Sequence, residues 1–516
     1  MTFPRSSGIL LHPTSLPGRF GIGDFDEEAY KFVDFLAESG QSLWQILPLG
    51  PTGFGDSPYQ CFSAFAGKTT LISPERLTED GLLSASDLAT APRFSNDRVE
   101  FGPVIEWKNA LLARAFTNFK HDAGGSQRKE FEGFCEFAEL WLDDYAFYRA
   151  IKDAHGGGAW NTWERELVTR DAKALASARE QLGESIEAHK FFQFLFFKQW
   201  VELKRYCNQK GIKLIGDMPI FVAYDSADVW IHPELFKLNE NGTPKVVAGV
   251  PPDYFSKTGQ LWGNPLYDWE RMRATGFRWW IERVRAALRM TDIIRIDHFR
   301  GFAACWEIPF GDKTAEHGKW VSVPGRELFA SINREFVEPP IIAEDLGVMT
   351  PDVKALRDDF GLPGMRVLQF AFGGEPSDEH LPHNYVRNTA VYTGTHDSDT
   401  VVGWFNSKSG VGSTRDTAQI NKERGFCLKY LNSDGREIHW DFIRAALASV
   451  ADVAIIPIQD LLGLDSSARM NLPASERGNW GWRFKTGALT TEMSERLREM
   501  TETYGRSQDA GPSLIW

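Results

Sequence analysis

Three acidic residues, each closing a short apolar run, carry the chemistry that this sequence suggests. They are Asp297 in Asp292-Ile-Ile-Arg-Ile-Asp-His298, Glu344 in Ile341-Ile-Ala-Glu-Asp-Leu-Gly347, and Asp397 in Val391-Tyr-Thr-Gly-Thr-His-Asp397. Side chains alternate along a strand, so Arg295 and Asp297 project to the same side. A guanidinium beside a carboxylate favours its ionised form, which suits a nucleophile. Glu344 has only apolar residues before it and no basic neighbour in sequence, a setting that raises a carboxyl pKa and keeps the proton a general acid needs. One ionised and one protonated carboxyl, about 5–5.5 Å apart, are what retaining glycoside chemistry requires. Asp397 then serves as a third carboxylate that grips sugar hydroxyls. Competing readings stand beside each: a structural Arg295–Asp297 pair, an N-cap at Asp397 in Thr395-His-Asp-Ser-Asp-Thr400, and a divalent metal held by His298, His396 and the acids. The histidines lack paired ligand spacing and Arg295 would repel a cation, so the metal reading ranks well behind.

The elements that must position these acids can be counted. Eight apolar runs read as buried strands: Gly8–His12, Leu43–Pro48, Lys213–Met218, Ile293–Asp297, Ile341–Glu344, Met365–Phe370, Ala390–Thr395 and Val453–Ile458. Helical patterns such as Glu27–Ala37 fill most of the gaps. Alternating buried strands and helices imply a parallel sheet with its chemistry at the strands' C-terminal ends. The fold class expected is α/β, a (β/α)8 TIM barrel spanning 1–516, with an open doubly wound sheet as the rival. Residues 71–209 are too many for one crossover; they read as an inserted helical subdomain on the catalytic face. A second insertion, 220–275, carries Ala248-Gly-Val-Pro-Pro-Asp253 and then Trp262 in Gln260-Leu-Trp-Gly-Asn-Pro265, read as a loop over the cleft.

Composition narrows the partners. The 516 residues carry a net charge of −13, from 57 basic and 70 acidic side chains, which argues against nucleic acid or an anionic membrane. Five cysteines without a Cys-x-x-Cys pair disfavour a disulfide framework or structural zinc and fit a reducing compartment. The start, Met1-Thr-Phe-Pro-Arg5, has no apolar signal region, and Phe191–Phe197 is cut off by Lys198 and Gln199 before it could span a bilayer. A cytoplasmic location is expected. Gly50-Pro-Thr-Gly-Phe-Gly55 matches no phosphate-binding fingerprint and reads as a turn, as does Asn241-Gly-Thr243.

At these residues the chain resembles the 4-α-glucanotransferases, also called amylomaltases or disproportionating enzymes, of glycoside hydrolase family 77 in the α-amylase clan. The motifs that carry the resemblance are His12-Pro-Thr-Ser-Leu-Pro17, Ser57-Pro-Tyr-Gln60, Gly216–Val222, Gly249–Phe255 running on to Trp262-Gly-Asn-Pro265, Arg295-Ile-Asp-His298, Ala343–Gly347 and Gly394-Thr-His-Asp397. The resemblance implies Asp297 as nucleophile, Glu344 as general acid/base and Asp397 as transition-state stabiliser. It implies that Arg295, His298, His396 and Asp217 line the donor sugar site, with Tyr59 a stacking platform and Trp262 shaping the acceptor side. It further implies no cofactor and no metal, an α-1,4-glucan donor and a sugar acceptor. Lys68, where Asn is expected, and Ala474-Ser475, where Gly-Thr is usual, depart from the pattern. The first strand is expected almost at the start of the sequence, so the N-terminal extension of some relatives is not expected. An α-glucan hydrolase with the same acids, and a catalytically silent glucan-binding barrel, are the alternatives.

Overall fold

The computed structural model describes residues 3–122, 124–252, 256–347, 349–409, 415–473, 475 and 477–507. Asp253-Tyr-Phe255, Ala474 and the C-terminal residues 508–516 lie outside them. Eight strands form one parallel sheet: β1 Ser6–Leu10, β2 Leu43–Gln45, β3 Lys213–Pro219, β4 Ile293–Asp297, β5 Ile341–Ala343, β6 Gly364–Val367, β7 Thr389–Tyr392 and β8 Val453–Pro457. They pair in chain order, and β8 pairs with β1. The last seam, β5 to β6, closes through the Ala343 N–H, which donates to the Pro363 carbonyl at 2.9 Å. The sheet is therefore a closed (β/α)8 barrel, built from the eight apolar runs of the sequence, whose strands are buried on both faces. Gly8 allows β1 to lie against β2, since a Cβ there would sit 2.2 Å from the Leu43 carbonyl oxygen.

The β5–β6 seam has a second fastening immediately beyond Glu344. The Asp345 carboxylate accepts the Met365 N–H at 2.6 Å and is ion-paired with Arg357 and, at 3.5 Å, with Arg366. A Cβ at Gly364 would lie 2.4 Å from Asp345 Oδ2, so glycine is needed for the carboxylate to reach this position.

Between β2 and β3 the chain forms a series of helices, among them Phe101–Asp122, Gly125–Phe137 and Leu142–Ala154, and returns through the 27-residue helix Gly183–Gln209. Phe191, Phe196, Trp200, Leu203 and Cys207 are its buried face, and the Trp200 indole N–H donates to the Met290 carbonyl at 2.9 Å. The helical stretch Phe131–Leu142 is interrupted: one helix ends at Phe137, and the next starts at Leu142 with Asp143 and Asp144 favourably placed in its first turn.

The sequence reading of 220–275 misses a sheet. Val246–Val250 and Gln260–Pro265 are antiparallel strands that join Ala304–Pro309 and Lys319–Ser322 in a four-stranded sheet. Trp262 thus sits on a strand, not on a loop. Glycine and proline at both ends of these short runs mask the alternation that marks a strand. No helix among the described residues is long and apolar enough to cross a membrane.

Replacing Asp345 with Ala should cost about 3–5 kcal/mol, as loss of one partner from a buried ion pair does. Urea unfolding measures it; a change under 1 kcal/mol would remove Asp345 from the closure of the barrel.

Candidate active site

The barrel delivers the sequence-predicted residues to one end. Asp217 and Arg295 lie within β3 and β4, opposite one another in the parallel register. Asp297 is the last residue of β4, Glu344 follows β5 directly, and His396-Asp397 follows β7. Arg295 is buried, and its Nη1 donates to both Asp217 oxygens at 2.7 Å and lies 3.1 Å from Asp297 Oδ1. Its Nε points to Met365 Sδ at 3.3 Å, so the guanidinium crosses the barrel interior. Burial alone would lower the guanidinium pKa, but the Asp217 and Asp297 carboxylates outweigh it and raise it well above its ordinary value. Asp217 is itself raised by burial, against the pull of Arg295.

Glu344 is fixed by backbone. Its Oε2 accepts the His298 N–H at 2.6 Å and its Oε1 accepts the Leu346 N–H at 2.9 Å. His298 adopts the left-handed conformation, φ 53° and ψ 50°, which turns its N–H toward that carboxyl. Despite these donors, burial first and the Asp297 charge second push Glu344 up to about 7. The apolar setting read from the sequence is therefore the leading cause, and the neighbouring acid adds to it. The His298 ring packs edge-on against Trp262, with centroids 4.7 Å apart, and burial followed by the Arg300 charge lowers its pKa to about 3.

Asp397 is held in the opposite state. Desolvation in the cleft works against its charge, but His396 Nε2 at 3.2 Å and the Asn471 amide at 2.6 Å bring its carboxyl down to about 2. Its side chain remains 48% exposed, open to a ligand. The N-cap alternative fails, because Thr400 caps the following helix by accepting the Gly403 N–H at 3.0 Å. His396 is buried, which would lower its pKa, yet Asp397 raises it. Tyr59 lies parallel to the His396 ring, 5.1 Å between centroids, and its hydroxyl donates to Asp217 at 2.7 Å. Trp480 tilts against both rings.

Tyr59 stands on a hairpin secured by Gly53 N–H to Gln60 O at 2.7 Å and Phe62 N–H to Pro51 O at 2.8 Å, which makes the glycine-rich Gly50–Gly55 segment a turn. Lys68 lies behind this hairpin: it is buried, donates to Thr52 Oγ1 at 3.0 Å, and rests 5.0 Å over the Phe101 ring. Burial lowers its ammonium to about 8. Asn471 and Trp480 escaped sequence reasoning as site residues. Asn471 lies three residues before the Ala474-Ser475 departure, and nothing in the sequence sets Trp480 apart from the other tryptophans. Among the described residues, no group of three or more His, Cys, Asp or Glu side chains is placed to hold a metal ion.

A closed α/β barrel with acids at the C-terminal ends of its strands, and with differently tuned protonation, defines a barrel enzyme of the glycoside-processing type. Comparison with known proteins gives the family. The model of the family described as 4-alpha-glucanotransferase, glycoside hydrolase family 77, matches residues 11–490. A 4-alpha-glucanotransferase of Synechocystis sp. is 51% identical, covering 97% of this chain and 98% of that protein. One from Thermus thermophilus is 49% identical, over 98% and 100%. The solved amylomaltase from Streptococcus agalactiae in complex with acarbose superposes with a TM-score of 0.92 at 41% identity, covering 98% of this chain and all of that one. The chain belongs to the 4-alpha-glucanotransferase family, and it is a glucan-transferring enzyme.

The two histidines provide a test of the site's electrostatics. By NMR, His298 should stay neutral from pH 5 to 8, while His396 titrates above 6.5. In Asp397→Asn the charge that raises His396 is gone, so its midpoint should move downward; an unmoved midpoint would dissociate the pair.

Proposed function

We propose that Asp297 attacks the anomeric carbon of an α-1,4-glucan donor while Glu344 protonates the departing glycosidic oxygen. The observation that carries this reading is the pairing of Asp297, beside the Arg295 guanidinium at 3.1 Å, with a Glu344 carboxyl raised to about 7. Arg295 holds the Asp297 carboxylate in place beside it. Glu344 sits near the pH at which it can give up and take back a proton. In the second half, Glu344 removes the proton from the 4-hydroxyl of an acceptor sugar, whose oxygen displaces Asp297 from the anomeric carbon. Two inversions give net retention.

Asp397, ionised and half exposed, is assigned to the hydroxyls of the donor ring, where its charge strengthens contacts as the ring distorts. Tyr59 is the stacking platform of that ring, with His396, Asp217 and His298 as its polar lining. The neutral His298 ring offers a hydrogen bond without a cation's repulsion toward developing oxocarbenium charge. Trp262, whose ring contacts His298, is assigned to the acceptor side. The helices between 71 and 209 and the segment 220–275 are assigned as insertions that border the glucan path on the catalytic face. The location proposed is cytoplasmic, supported by five unpaired cysteines.

The deciding experiment is purified protein with maltotriose alone, in chelator, with products separated by length and reducing ends counted. A ladder of longer oligosaccharides plus glucose at constant reducing ends supports transfer. Shortened products with rising reducing ends would make the enzyme a hydrolase. Glu344→Ala should lose activity on maltooligosaccharides by about 10²–10⁴-fold, the usual worth of general acid–base catalysis. The same variant should keep the first step with an α-maltosyl fluoride donor, whose leaving group needs little protonation; equal loss on both donors would count against the acid role. The pH dependence follows from the same carboxyl. Because its pKa is raised to about 7, the acid form is lost as pH rises through 7, and kcat/KM for the glucan donor should fall there. A kcat/KM that stays flat from pH 6 to 9 would assign the proton elsewhere.

A further inference from the structure

Among the described residues, Trp320 is the one tryptophan that is exposed, at 41%; the others are buried or half-buried. It is not a stray ring on a loose segment. It lies on the edge strand Lys319–Ser322, directly opposite Trp306, with ring centroids 5.2 Å apart at 61°. Trp306 is locked in turn, since its indole N–H donates to the Ala315 carbonyl at 2.9 Å, and a Cβ at Gly318 would lie 2.3 Å from that nitrogen. The Arg300 guanidinium covers the Trp320 ring at 3.8 Å. Arg300 belongs to the turn Phe299–Phe302 that follows Asp297-His298, and the residue after this turn is tied to the residue after the strand by Val323 N–H to Ala303 O at 3.0 Å. A large, partly exposed ring is thus held from two sides, next to the segment that carries the proposed nucleophile.

A flat indole in that position matches the apolar C–H face of a pyranose, and such a preorganised aromatic costs little entropy to engage. Ser322, exposed two residues along on the same face of the strand, is a hydroxyl-bonding group rather than a continuation of an apolar patch. That fits a sugar better than an apolar protein surface. The net charge of −13 disfavours a polyanion.

We propose that Trp320, braced by Arg300 and Trp306, is a second glucan contact outside the donor and acceptor positions, engaging residues of a long α-1,4-glucan that a trisaccharide does not reach. The proposal rests on the transferase reading given above.

Trp320→Ala should raise KM for a linear amylose of about one hundred residues by roughly three- to tenfold, the worth of one aromatic contact. Its kcat should stay within twofold, and kcat/KM for maltotriose should not change. Trp320→Phe should recover most of the amylose affinity. An unchanged amylose KM, or an equal loss on maltotriose, would overturn the proposal, the second by making Trp320 a prop for the Arg300 turn. Affinity electrophoresis in amylose gels reads binding without turnover: wild type should be retarded more than Trp320→Ala, and equal retardation would also overturn it. If wild type itself transfers neither substrate, the transferase reading fails, while the gel still decides whether Trp320 holds glucan.

Discussion

Everything in the cleft depends on one buried cation. Arg295 sits in the barrel interior of an acidic protein, and a guanidinium there is stable only if its charge is met at short range. Asp217 meets it from the neighbouring strand and Asp297 from two residues further along its own. The arrangement propagates outward. Because Asp217 spends its charge on Arg295, it can also anchor the Tyr59 hydroxyl; Tyr59 then fixes the plane of His396, and His396 together with Asn471 holds Asp397 ionised. A chain of contacts therefore runs from β3 and β4 to the loop after β7, across the barrel mouth.

The same neighbourhood separates the acids by protonation. Glu344 and Asp397 differ by one methylene in composition, yet one sits at about 7 and the other at about 2. Two backbone N–H groups on Glu344 are neutral donors and do not overcome burial and the nearby Asp297 charge. A histidine raised by its own partner, with an amide donor beside it, does overcome the confinement of Asp397. The left-handed His298 contributes without titrating: its backbone sets the Glu344 carboxyl while its ring stays neutral against Trp262.

Much of this was legible in the sequence, for definite reasons. Fully buried parallel strands read as uninterrupted apolar runs, so all eight could be counted, and the acids at Asp297, Glu344 and Asp397 stood out as the polar residues that end them. The low Glu344 neighbourhood charge was visible as Ile341-Ile-Ala343. What stayed hidden were relations between segments far apart in the chain. Asn471 meets Asp397 across 74 residues, and Asp217 meets Arg295 across 78. Nothing local distinguishes such an Asn, or Trp480 among eighteen tryptophans, from its ordinary counterparts. The antiparallel sheet was missed for a different reason, because its strands are short, half-exposed and punctuated by Gly and Pro.

That sheet changes how the cleft is mounted. Its strands come from the segment entering β4, Val246–Val250 and Gln260–Pro265, and from the segment leaving it, Ala304–Pro309 and Lys319–Ser322. The two halves pair directly, with Ala248 opposite Glu307 and Gly249 opposite Trp306. The chain before and after the strand bearing Asp297 therefore contributes to one hydrogen-bonded sheet, and Trp262 and Trp320 belong to that sheet. Functional groups on strands are held more closely than groups on loops. A loop carrying Trp262 could swing away from His298 without disturbing the barrel. In this edge strand the ladder pairs Leu261 with Gly249 and Pro265 with Val247 and leaves Trp262 in the irregular stretch between them, so the sheet anchors both sides of the segment that brings Trp262 to His298.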